Sequence, residues 1–97
     1  MLILQGRLKK NYPHDEQKHI KETINFSSRF NNIPCVQLSI LKLDMYSPHE
    51  GAGSTTRYVC RANDISEKGF TLDIRTWGLN KIYGIHVEWM AIGEAAS

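Results

Sequence analysis

Hydrophobic residues recur at every second position along most of this chain, the period of a β-strand with one buried face, and helical periodicity is almost absent. Val36, Leu38 and Ile40 define one strand, Phe70, Leu72 and Ile74 a second, and Ile85, Val87, Trp89 and Ala91 a third. Ile24 and Phe26 mark another, Tyr58, Cys60 and Ala62 share a face of a fifth, and LILQGRL near the start reads as a sixth. Six short strands bury more than one open sheet of this length can cover. The pattern therefore predicts an all-β fold, a six-stranded antiparallel β-sandwich.

Turn chemistry separates the strands at Asn31, Asn32 and Pro34, across SPHEGAGSTT, from Ser66 to Gly69, and from Gly78 to Lys81. Gly69 is expected to take a positive φ in a tight hairpin that makes residues 57–63 and 69–76 neighbours. Residues 9–21 are polar and interrupted by Pro13, so they read as a surface loop, and the Gly-rich stretch 46–56 as a second. No repeat or boundary divides residues 1–97, which form a single domain.

Charge narrows the function only by exclusion. With 12 Lys and Arg against 10 Asp and Glu the net charge is +2, too small a field to steer nucleic acid, and the sparse basic edge of Lys9, Lys10, Lys18 and Lys21 lacks interleaved aromatics. No apolar run reaches membrane-spanning length, and MLILQGRLKK lacks the ordered regions of a signal peptide. His14, Asp15 and His19 lack a fourth metal partner, so neither a metal nor another cofactor is expected. Asp15, Glu16, Glu22 and Glu88 lie on a loop or an outward strand face, with no enclosed pocket to raise an acid's pKa, so glycoside hydrolysis and enzymatic activity in general are not expected. Cys35 is out of phase with Val36, Leu38 and Ile40, whereas Cys60 shares a face with Tyr58 and Ala62; two free thiols follow.

In TWGLNKIY, Trp77 and Tyr83 flank a short polar turn. Such an aromatic edge suits a sugar, whose C–H face packs on a ring while its hydroxyls need directed donors and acceptors. The same two residues could instead cap the sandwich core. Trp89, in phase with Ile85 and Val87, is a core residue.

The segments FSSRFNNIPCVQLSILKLD, RYVCRANDISEKGFTLDIRTW and NKIYGIHVEWMAIG, in this order and spacing, closely resemble H-type lectins, the family of the snail agglutinins and the discoidin carboxy-terminal domains. The resemblance implies a homotrimer, sometimes doubled to a hexamer, that binds N-acetylgalactosamine or galactose between protomers. It assigns Arg57 to the sugar-bonding arginine, Trp77 and Tyr83 to the aromatic wall, Asp15 to the sugar-binding aspartate and Pro13 to a carbonyl acceptor. Gly78 stands where the family often has a sugar-contacting histidine and has no side chain to replace it. The long 46–56 loop enters beside Arg57 and could bring His49, Glu50 or Ser54 to the groove. The family's bridging cysteine positions fall on Asn31, Ile74 and an N-terminal residue, so no family disulfide is available. Val59 and Arg61, with Met90 and Ile92, are the candidates for the trimer interface, because apolar side chains on a solvent face need a partner. Secreted family members recognise glycans; the absent signal peptide leaves the compartment open. The alternative is a structural β-sandwich trimer that has given up sugar binding, as Gly78 and the long loop would allow.

Overall fold

The computed structural model describes residues 1–12, 15, 17–47 and 56–96. These form six strands, β1 (Leu2–Asn11), β2 (His19–Asn25), β3 (Cys35–Tyr46), β4 (Tyr58–Asn63), β5 (Gly69–Thr76) and β6 (Lys81–Gly93). All pairings are antiparallel, in two three-stranded sheets ordered β1-β6-β3 and β2-β5-β4. The six-stranded sandwich read from the alternation is the fold.

The core lies between the two central strands. Phe70, Leu72 and Ile74 of β5 face Ile85, Val87, Trp89 and Ala91 of β6, and all are buried. At one end Phe26, Phe30, Phe70 and Trp89 interlock, with Trp89 5.6 Å from Phe70 in a T-shaped pair and 5.7 Å from Phe26; such edge contacts add to the area buried. Both cysteines are free. Cys35 points outward from β3 and Cys60 packs against the core from β4, on different sheets.

Two local expectations need correction. Residues 9–21 are not one loop: β1 continues to Asn11 and β2 begins at His19. Here the polar residues are the solvated face of strands, and Lys10 holds its half-buried position because its ammonium pairs with Glu22 at 2.8 Å. The hairpin joining β4 to β5 is present, but its left-handed residue is Asp64, at φ 52°, and not Gly69. Gly69 is required for space, since a Cβ there would stand 2.1 Å from the Ile24 carbonyl oxygen of β2.

The β3–β6 ladder breaks register twice. Leu41 has no partner in β6, and Tyr83 falls between the pairs Asp44–Gly84 and Met45–Ile82. Each break is a bulge, which bends its strand and re-aims a side chain. The second lets Ile82 and Ile85 both face the core while Tyr83 sits half-buried at the sheet's end.

Candidate functional site

Antiparallel pairing brings six chain segments to one end of the sandwich: the ends of β1, β3 and β5 and the starts of β2, β4 and β6. Arg57, Trp77, Gly78, Tyr83 and Asp15 all belong to that end. Pro13 lies outside the described residues, as do His14, Glu16, His49, Glu50 and Ser54.

Arg57 and Trp77 are set side by side by the β4–β5 register, in which Tyr58 opposes Thr76. The buried Thr76 hydroxyl donates to the Arg57 carbonyl, tying the approach to β4 to the end of β5. Trp77 is 43% exposed and belongs neither to the core nor to the side chains packed on it, so capping the core is not its role. Its backbone is nonetheless fixed. Asn80, fully buried, donates from Nδ2 to the Trp77 carbonyl at 2.9 Å. Gly78 turns the chain at φ 72°, which a side chain would resist, and its carbonyl accepts from Lys18 Nζ at 2.7 Å.

Tyr83 and Asp15 lie along the neighbouring edge. The Tyr12 N–H donates to the Tyr83 carbonyl at 2.6 Å, and Gln17 exchanges two backbone hydrogen bonds of 2.8 Å with Ile82. Asp15 is exposed; its N–H reaches the Tyr12 carbonyl at 3.4 Å and its carbonyl accepts from the Gln17 side chain at 2.9 Å. Two clusters result, Arg57 with Trp77 and Gly78, and Asp15 with Tyr83. Gln17 and Lys18 run between them, and the Lys18 carbonyl also accepts from the Thr76 N–H at 2.9 Å.

Trp77 also edges a groove of about 290 Å³ on the outer face of the β2-β5-β4 sheet, lined by Val59, Arg61, Asn63, Asp73 and Arg75. Asp73 is 5% exposed although it sits on an outward face. His19 Nε2 lies 2.9 Å from its Oδ1, Asn63 Nδ2 donates to Oδ2 at 3.2 Å, and Arg75 donates at 3.4 Å. Burial alone would raise this carboxyl, but the hydrogen bonds and charges of His19 and Arg75 outweigh it and hold Asp73 below its ordinary value. The sequence pattern gave no sign of this network or of the anchoring by Lys18 and Asn80. A polar residue in a turn or on an outward face reads as solvated until the register shows its partner.

The sequence profile of the H-type lectin domain matches residues 21–92. The chain belongs to the H-type lectin family. It is thereby placed among lectin domains. Among solved structures this lectin domain superposes on recombinant discoidin II of Dictyostelium discoideum with a TM-score of 0.77 at 21% identity, covering 99% of this chain and 38% of that one. The tailspike protein of Pseudomonas phage LKA1 matches with a TM-score of 0.69, also at 21% identity, over 99% of this chain and 15% of the tailspike. A second tailspike, from Pseudomonas phage phi297, matches at 0.58 and 12% identity, covering 92% of this chain and 15% of that one. The lectin domain thus spans well under half of each of these proteins, and at such identity the likeness is one of fold. No curated protein sequence matches the chain.

Proposed function

We propose that this lectin domain binds glycans ending in N-acetylgalactosamine or galactose, through shallow sites completed between protomers of a homotrimer. The observation carrying the reading is Trp77, an indole left in solvent while its backbone is pinned by Asn80 and, through Gly78, by Lys18. A fixed exposed ring offers the sugar's C–H face an apolar platform at little entropic cost. Arg57 beside it supplies guanidinium donors. On the second cluster Asp15 accepts from an axial hydroxyl and its neighbour, a geometry that rewards galactose over glucose stereochemistry. Tyr83 forms the opposite wall, and the Pro13 carbonyl is a further acceptor. Gly78 touches the sugar with no side chain of its own; it serves by turning Trp77 outward. One protomer's Arg57–Trp77 edge facing the next protomer's Asp15–Tyr83 edge completes a site, and three such sites give avidity on clustered glycans.

The outward residues Val59 and Arg61 lie on β4 and Met90 and Ile92 on β6, on opposite outer faces of the sandwich. They suit the two unlike surfaces of a head-to-tail ring. Calorimetric titration with N-acetylgalactosamine should give saturable binding with a dissociation constant of roughly a millimolar per site, as expected of a small solvent-exposed interface. Arg57→Ala should weaken it about tenfold or more, and sedimentation equilibrium should show the same trimer for both proteins. A trimer with no saturable sugar binding would assign the domain a structural role; a monomer would remove the shared site.

A further inference from the structure

The outer face of the β1-β6-β3 sheet carries a second concentration of chemistry, on the other sheet from the one that Arg57 and Trp77 flank. Lys9 of β1 and Lys42 of β3 are both in register with His86 of β6, so one row of side chains across three strands is wholly basic. All three point outward, because His86 lies between the buried Ile85 and Val87, Lys9 between the half-buried Leu8 and Lys10, and Lys42 beside the inward Leu43. The bulge at Leu41 brings Lys42 into this row. Strands about 4.8 Å apart put the two lysine backbones roughly 10 Å from each other, with the imidazole midway.

The next row is Asn11, Gly84 and Asp44. Gly84 leaves its centre empty, and its neighbours close over the gap: a Cβ there would lie 3.4 Å from Asn11 Oδ1 and 3.7 Å from the Asp44 Cβ. A depression of about 150 Å³ results, walled by both rows. The surrounding charges are largely spoken for, Arg7 by Glu88 at 3.2 Å and Lys10 by Glu22. Lys9, Lys42 and Asp44 make no ion pair among the described residues.

We propose that this depression is a second saccharide site, selective for a sugar that bears a carboxylate or a sulfate ester. Two ammonium groups and an imidazole N–H converge on the anionic substituent. Asp44 and Asn11, one row away, face the hydroxyls on the adjoining carbons, where a carboxylate accepts two protons and an amide both donates and accepts. The carboxylate sets the specificity: Asp44 repels a bare anion held in the neighbouring row but bonds a polyol, so a ligand must carry both kinds of group.

Backbone amide shifts of the isotopically labelled domain, titrated in turn with glucuronate, glucose 6-sulfate, glucose and inorganic sulfate, test this directly. Glucuronate, glucose 6-sulfate or both should shift Lys9, Asn11, Lys42, Gly84 and His86 saturably, and which of them does so identifies the acid. Glucose and inorganic sulfate should bind at least about tenfold more weakly. The double variant K9A/K42A should lose about tenfold or more in affinity for the acid sugar. D44N should weaken the acid sugar while strengthening inorganic sulfate, an opposite pair of effects that loss of folding cannot produce. Arg57→Ala should change nothing here, which separates this site from the galactose reading. Inorganic sulfate binding as well as the acid sugars, shifts confined to other residues, indifference to K9A/K42A, or loss of binding in Arg57→Ala would each overturn the proposal.

Discussion

Asn80 illustrates how a buried side chain can hold an exposed one in place. It is fully buried in the short turn between β5 and β6 and spends its amide N–H on the Trp77 carbonyl. Replacing it with Ala leaves that carbonyl without its donor inside the fold, a change that costs about 1–3 kcal/mol. Asn80→Ala should therefore lower the urea midpoint and, by loosening the Trp77 backbone, weaken N-acetylgalactosamine binding several-fold; a normal midpoint with unchanged affinity would deny Asn80 both roles. The sequence makes Trp77 conspicuous because an aromatic ring beside a polar turn has few reasons to be there. It hides Asn80 and Lys18, whose polarity fits any exposed turn: Asn80 folds back into its own turn to reach the Trp77 carbonyl, and Lys18 meets the Gly78 carbonyl because β2 approaches the end of β5.

At the scale of elements, the central strand β5 carries the most information. Its Gly69 lies against the Ile24 carbonyl of β2, where a methyl group has no room. Gly69→Ala must part β2 from β5 and should cost about 1–3 kcal/mol in denaturant unfolding, the usual penalty of overpacking. Asp73, on the same strand, makes stability depend on acid. Its folded pKa lies below its unfolded one, so its contribution is complete above the ordinary aspartate value of about 3.9 and is lost as pH falls through the lower folded value. Urea midpoints should thus drop more steeply below about pH 4 in the parent domain than in Asp73→Asn, which gives up the contribution at every pH. The strands themselves were legible from alternation, since β5 and β6 are buried on one face along their length. The end of β1 and the start of β2 were not, because Lys9, Lys10, Lys18 and Lys21 obscure the alternation that Leu2, Leu4 and Leu8 carry in β1 and Ile20 and Ile24 in β2. Nor could composition tell a glycine needed for its φ, as at Gly78, from one needed for its lack of bulk, as at Gly69.

For the whole molecule, the family could be read from the order of short segments distributed over most of the chain, since those segments build both sheets of the sandwich. The rim is less legible, because it is built from turns and strand ends whose partners the alternation of strands does not reveal. The same antiparallel topology that gathers Arg57, Trp77, Tyr83 and Asp15 at one end sends residues 2 and 93, paired to each other, to the far end beside the Phe26, Phe30 and Trp89 cluster. The domain is consequently polar in the sense of having a front and a back. A linker, dye or solid support coupled next to either residue leaves every candidate sugar contact pointing away from the point of attachment. Immobilised in this way, the lectin should present its whole binding rim to a passing cell surface.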